Sequence, residues 1–204
     1  MTGRLGVLIS GRGSNLQAII QAVQSGALPA SVAVVISNRR EAGGLEHARA
    51  AGVEALFVNP RDYPAPGAFD KAIVEALRQR RVDLVCLAGF MRLVGAPLLD
   101  AFPGRILNVH PSLLPSFPGL DAQQQALDYG VRISGATVHF VTAELDGGPI
   151  ILQAAVDVFE NDDVAELSAR ILVEEHKLYP EAIRIVLEGR WRIDGRRVVR
   201  RVTV

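Results

Sequence analysis

Hydrophobic residues along this chain fall into short continuous runs that alternate with runs spaced for one face of a helix. Leu5 to Ile9 is apolar throughout and ends in Ser10-Gly11-Arg12-Gly13-Ser14-Asn15. Leu16, Ile19, Ile20 and Val23 follow at helical spacing. Val32 to Ile36 is a second strand, Leu45 to Ala51 a second helix closed by Gly52, and Ala55 to Val58 a third strand. Phe69, Ile73, Val74 and Leu77 mark a third helix; Leu84 to Ala88 and Arg105 to Val109 are two further strands. Strands that are apolar throughout are covered on both faces, as in parallel sheets.

The second half reads differently. Ala136 to Val141 and Ile150 to Val156 are strands separated by Asp146-Gly147-Gly148-Pro149, a pattern that suits an antiparallel extension. Val164 to Leu187 predicts a long helix, with Asn161 or Asp162 as N-cap and Pro180 as a bend or break. The expected fold is α/β: a single doubly wound, mostly parallel sheet with helices on both faces and an antiparallel C-terminal extension.

Composition narrows the function classes. At 49% hydrophobic, 204 residues can build a core without disulfides or a structural metal. Twenty-two Lys and Arg balance 22 Asp and Glu, so a nucleic-acid groove is not expected. The stretch Arg190 to Arg201 is locally basic, and it reads as a solvated terminal hairpin. The single Cys86 sits in an apolar run and reads as a buried small hydrophobe, which fits a reducing, cytoplasmic setting. No signal peptide is expected, and no run reaches the ~18 apolar residues that span a membrane.

Two places carry chemistry. The glycine-rich turn at 10–15 lies between a strand and a helix, where open N–H groups and the helix dipole suit a phosphate. Many such turns hold nothing. A dinucleotide fold is the rival, but its third glycine would fall at Leu16, and the second strand ends in Ser37-Asn38-Arg39-Arg40 without an acidic residue. The two arginines keep an NADP form of that rival open.

The second place is Leu107-Asn108-Val109-His110. Residues 108 and 110 share one face of a strand, at the carboxyl edge where open α/β sheets place their sites. Amide and imidazolium N–H groups can both donate to the oxyanion of an acyl or formyl transfer. Pro111-Ser112-Leu113-Leu114-Pro115 would wall the histidine. Asp146 can be read as the carboxylate that favours a charged imidazole or as an ordinary Asp-Gly turn residue. His139 can support the site or be structural; His47 reads as surface. No His, Asp and Glu spacing matches a metal site, so no metal is expected.

These motifs, together with Leu87-Ala88-Gly89-Phe90-Met91-Arg92, Gly135-Ala136-Thr137-Val138-His139-Phe140-Val141 and Ile150-Ile151-Leu152-Gln153, resemble the phosphoribosylglycinamide formyltransferase family of folate-dependent formyltransferases, over nearly the whole chain and in order. The resemblance implies one formyltransferase domain over 1–204, with a half at 1–104 for the ribonucleotide phosphate and a half at 105–204 for catalysis and folate. It implies transfer of formyl from 10-formyltetrahydrofolate to the amine of glycinamide ribonucleotide in purine biosynthesis. It assigns the substrate phosphate to Gly13, Ser14 and Asn15 and a further ribonucleotide contact to Glu175. It assigns folate to Met91, Arg92, Leu93 and Val94, with Asn108 beside it. Asn108 and His110 become the oxyanion donors, His110 the proton donor, and Asp146 the partner that supports its charge. Small molecules are the implied partners, with no nucleic acid and no membrane; a homodimer is compatible with it. One departure stands out: Pro66 occupies the place of a basic folate contact, with Arg61 as substitute. Methionyl-tRNA formyltransferases and formyltetrahydrofolate deformylases carry further domains that these residues do not supply. An NADP-binding reductase and a phosphate-binding module without chemistry remain the readings outside formyl transfer.

Overall fold

A computed structural model describes residues 3–201. The chain divides into two compact units, one up to Leu107 and one from Asn108 onward.

In the first unit, β1 (Gly3–Ile9) is the centre. It pairs in parallel with β2 (Ala30–Ser37) on one side and with β4 (Leu84–Leu87) on the other, and β2 pairs in parallel with β3 (Ala55–Phe57). The resulting order, β3-β2-β1-β4, reverses direction of travel between β1 and β4. A crevice opens at such a point because the connections on either side leave toward opposite faces. The strands are as buried as their apolar runs require: Leu5, Val7, Leu8, Ile9, Val34, Val35, Ile36, Leu84, Val85 and Cys86 are fully enclosed. The helices are α1 (Ser14–Gln24), α2 (Gly43–Ala50) and α3 (Ala68–Gln79), whose apolar faces supply Leu16, Ile19, Leu45, Ile73 and Leu77 to the core. A short α4 (Ala96–Ala101) was not legible from periodicity, because its six residues include Pro97 and bury only Leu98.

β5 (Ile106–His110) runs from the first unit into the second. In the second unit, β6 (Ile133–Phe140) and β7 (Ile150–Asp157) pair antiparallel, as the expected extension requires. The 25-residue α6 (Val164–Glu188) lies against both, and α5 (Ala122–Tyr129) lies against α6. The core between them is Ala126, Ala136, Val156, Val158, Leu167 and Ile171. One expectation for α6 needs correction, and for Pro180 the break falls away. Its N-cap is Asp163, not Asn161 or Asp162: Asp163 accepts from the Glu166 N–H at 2.8 Å and Glu166 returns the bond at 3.0 Å, a reciprocal box that uses two otherwise open donors. Asp162 instead binds Arg170 in a two-pronged pair at 2.7 and 2.8 Å. Pro180 does not end the helix. Losing one backbone bond costs about 3 kcal/mol, whereas Tyr179, Ala182 and Ile183 around it are fully buried, each large apolar one contributing about 1.5–3 kcal/mol. The basic terminal stretch does form a hairpin, β8 (Trp191–Asp194) and β9 (Arg197–Arg200). Among the described residues no helix is long and apolar enough to cross a membrane.

Candidate active site

The chemistry-bearing residues of the second unit converge on one aspartate. Asp146 Oδ2 lies 3.4 Å from His110 Nδ1, and its Oδ1 lies 3.6 Å from His139 Nε2. Oδ2 also accepts the Gly119 N–H at 2.8 Å. All three side chains are nearly enclosed, Asp146 at 9%, His110 at 6% and His139 at 2% exposure. The turn brings Asp146 there by returning the chain sharply onto β6. Asp146 has φ 49°, and a Cβ at Gly148 would stand 1.8 Å from the Phe140 carbonyl, so only glycine fits. Asp146 is therefore a turn residue and also the carboxylate beside the imidazoles; the two readings of the sequence were not alternatives.

Hydrogen bonding fixes the state of each ring. His110 Nε2 lies 2.8 Å from the Phe117 carbonyl, which can only accept, so Nε2 carries a hydrogen. Any further proton on this ring sits on Nδ1, facing Asp146. His139 Nδ1 lies 2.9 Å from the Phe140 carbonyl, so Nδ1 carries the hydrogen there. Burial holds the His139 pKa below the ordinary imidazole range, only partly opposed by that carbonyl and by Asp146. The ring is neutral, its Nε2 offers a lone pair, and Asn108 Nδ2 donates to it at 3.2 Å. The 3.6 Å approach of His139 to Asp146 is accordingly not an ion pair.

The segment after β5 is pinned by a buried polar cluster. Thr137 donates to the Ser112 carbonyl at 2.7 Å and accepts from the Leu114 N–H at 3.0 Å. Gln153 donates to the Leu114 carbonyl at 2.9 Å and to Thr137 at 3.0 Å. Ser112 donates to the Ser116 carbonyl at 2.5 Å. These bonds set the segment that presents the Phe117 carbonyl and the Gly119 N–H to His110 and Asp146. Glu175 lies buried on α6, at helical spacing from Ile171 and Tyr179 on the same enclosed stripe.

The first unit carries the other predicted residues. Gly13 is the N-cap of α1 with φ 84°, and Ser14 is its first residue; Asn15 is buried at 8% exposure. A Cβ at Gly13 would stand 2.5 Å from Gly44 Cα, so the start of α2 closes on the turn, and the Gly44 N–H donates to the Gly11 carbonyl at 3.1 Å. Ser10, buried at the end of β1, donates to Asn38 Oδ1 at 2.6 Å and accepts the Met91 N–H at 2.8 Å. The segment Met91-Arg92-Leu93-Val94 is held at two more points. Arg92 stacks on Phe69 at 4.8 Å, and the Gly95 N–H donates to Asp70 at 2.8 Å. Met91 and Leu93 are left 57% and 78% exposed, an apolar platform on a fixed backbone. Pro66 and Arg61 are both exposed. Arg40, half of the pair that an NADP phosphate would need, stacks on Phe57 at 4.7 Å. Among the described residues no three His, Cys, Asp or Glu are grouped to hold a metal ion.

The structure brings His139 beside Asn108 and Asp146, and adds Ser10, Thr137 and Gln153 as polar partners that the sequence did not single out. His139 had a usable signal, a polar ring inside a buried strand. The backbone groups of Phe117 and Gly119 leave no trace in residue identity.

A model of the formyl transferase family matches residues 3–183, and so stops short of the terminal hairpin. Phosphoribosylglycinamide formyltransferase of Escherichia coli (strain K12) is 43% identical over 199 residues, covering 94% of this chain and 94% of that protein. The trifunctional purine biosynthetic protein adenosine-3 of Bos taurus is 46% identical over 190 residues, covering 93% of this chain; the chain spans 19% of that protein's length. Among solved structures, glycinamide ribonucleotide transformylase 1 from Symbiobacterium toebii has the same fold, with TM-score 0.96 and 62% identity over 98% of this chain and 94% of that one.

Proposed function

The chain belongs to the formyl transferase family, and from that premise we propose that it moves the formyl group of 10-formyltetrahydrofolate to the amine of glycinamide ribonucleotide, giving formylglycinamide ribonucleotide and tetrahydrofolate in purine biosynthesis. The observation that carries the reading is the placement of Asn108, His110 and Asp146 in one nearly enclosed cluster.

The amine nitrogen attacks the formyl carbon, and the carbonyl oxygen becomes an oxyanion. Asn108 donates to that oxygen with the N–H that His139 leaves free. Protonated His110 donates through Nδ1, since Nε2 is held by Phe117. Asp146 balances the imidazolium charge. As the intermediate collapses, the bond from carbon to the folate nitrogen breaks. The proton lost by the amine is matched by the one gained at that nitrogen, through His110 and water beside Asp146. Fixed donors of this kind lower the barrier because they need no reorganisation as charge develops.

Gly13, Ser14 and Asn15 would hold the ribonucleotide phosphate at the start of α1, and Glu175 would accept from its hydroxyl groups. Met91, Arg92, Leu93 and Val94 would receive the pterin of the folate on the platform described above. In this reading the N-terminal half serves the phosphate and, through residues 91–94, the pterin, while the C-terminal half supplies the catalysis and the Glu175 contact, within one formyltransferase domain. The co-substrate is the only cofactor invoked, the partners are small molecules, and the setting is cytoplasmic.

The test is an assay with 10-formyltetrahydrofolate and glycinamide ribonucleotide, following tetrahydrofolate by absorbance and formylated product by mass spectrometry. Formylated ribonucleotide is the expected result. Release of formate without any need for the ribonucleotide would overturn the acceptor assignment.

A further inference from the structure

The basic stretch Arg190 to Arg201 has no part in the chemistry above and lies outside the family match. It does not trail from the fold. β8 and β9 pair around Gly195-Arg196, with Gly195 at φ 61°. From there the hairpin reaches the connection between β6 and β7, the stretch that carries Asp146, at three places.

At one stem, the Trp191 ring packs on Phe140, the last residue of β6, with centroids 4.9 Å apart. The indole N–H is itself fixed by the Val186 carbonyl at 3.0 Å. At the other stem, Arg197 pairs with Ile150, the first residue of β7, in a parallel bridge. Between the stems, Arg196 Nη2 donates to the Gly147 carbonyl at 2.7 Å, one residue after Asp146. Arg196 Nη1 lies 3.7 Å from Glu144, two residues before it.

We propose that the hairpin is a strap across the Asp146 turn and that Arg196 is a positioning residue for the Asp146 carboxylate. The proposal rests on the reading that Asp146 serves formyl transfer. Asp146 sits at φ 49°, a conformation that a non-glycine residue keeps only when its surroundings hold it. Gly119 holds its side chain; Arg196 holds the backbone next to it. A guanidinium suits that place because its fork reaches a carbonyl and a carboxylate together. Arg196 and Glu144 are both more than 70% exposed, so their ion pair is screened and adds little. The directional bond to Gly147 carries the effect.

The test uses the full-length enzyme with Arg196→Ala, Arg196→Lys, Asp146→Asn and the Arg196→Ala/Asp146→Asn double variant. Arg196→Ala is expected to lower kcat about three- to tenfold, the scale of one directional hydrogen bond, with KM for the ribonucleotide and the melting temperature close to wild type. Arg196→Lys, which can still donate to one oxygen, recovers part of the loss. Once Asp146→Asn has removed the positioned carboxylate, Arg196→Ala has little further effect. Wild-type kcat in Arg196→Ala overturns the strap, as does a loss that adds in full to that of Asp146→Asn. A lowered melting temperature with unchanged kcat per folded enzyme overturns it too, since it marks a purely structural role. Wild-type turnover in Asp146→Asn brings down the reading of Asp146 itself, whatever Arg196 does.

Discussion

Asn108 Nδ2 lies 3.2 Å from His139 Nε2, and this contact decides which end of the amide faces the ring. With His139 Nδ1–H committed to Phe140, only a lone pair remains at Nε2, so the amide must turn its NH₂ toward the ring. Its second N–H is then aimed by the His139 ring. Removing that acceptor in His139→Ala frees the amide to rotate. The expected loss is on the order of tenfold in kcat, the scale of one misdirected hydrogen bond. His139→Gln offers a carbonyl in the same role and should retain more. Steady-state kinetics on both variants check this; equal activities would show that orientation is not what His139 supplies.

His110→Ala removes the ring whose Nδ1 lies 3.4 Å from Asp146 while leaving the strand backbone intact. Loss of an acid or oxyanion donor typically costs on the order of a hundred- to a thousandfold in rate. Ribonucleotide binding by calorimetry and the circular dichroism spectrum should stay near wild type. Near-normal turnover would remove His110 from the chemistry.

Gly13→Ala places a Cβ 2.5 Å from Gly44 Cα at a residue with φ 84°. A left-handed backbone costs an L-residue about 1–2 kcal/mol even without a clash. The turn must open, so KM for the ribonucleotide should rise at least tenfold while kcat at saturation changes less. An equal loss in kcat with KM preserved would separate this turn from substrate binding.

Ser10→Ala leaves the Met91 N–H without its acceptor and Asn38 without its donor at a part-buried place. An unmet buried group costs about 1–3 kcal/mol. The platform at 91–94 should loosen, and KM for the formyl donor should rise severalfold with the ribonucleotide KM unaffected. A change confined to the ribonucleotide would contradict the assignment of this segment to folate.

Two pH windows should appear in the stability curve. His139 has its folded pKa held below the usual 6.5 by burial, so below that pH the unfolded chain takes the proton first. Stability is therefore full above about 6.5 and declines as pH falls toward the folded value. Asp162 is pulled from 3.8 to about 2, mainly by its hydrogen bonds from Arg170. Its contribution is present above 3.8 and lost as pH falls from there to about 2. Urea midpoints measured from pH 8 to 2 should fall in both windows. His139→Gln should reduce the first slope, leaving the share of His176, whose pKa burial also lowers, and Asp162→Asn should reduce the second, leaving that of Glu54, lowered mainly by its hydrogen bond from Arg80; unchanged slopes would refute the assignments.

Much of this molecule was legible along the chain because the relevant signals are local. Continuous apolar runs marked β1, β2 and β4, and parallel pairing followed from their burial. Period-two alternation placed Asn108 and His110 on one face, and the Gly-rich turn at 11–13 announced the start of α1. What failed was also local in origin. α4 and α5 are short and carry too few apolar residues for periodicity to show. The cap of α6 went to Asp163 because the reciprocal bond with Glu166 decides among three adjacent candidates.

The fold class, the Asn-x-His pair and the glycine turn could be read along the chain, because strand period and backbone conformational freedom act over a few residues. Where Asp146 stands depended on the folded chain. Its neighbours His110 and Gly119 are distant along the chain, and Gly119 is met through a backbone group that no residue identity records. It also took the folded chain to show that a basic C-terminal stretch ends against the Gly147 carbonyl, since a turn 49 positions away is a neighbour only in space.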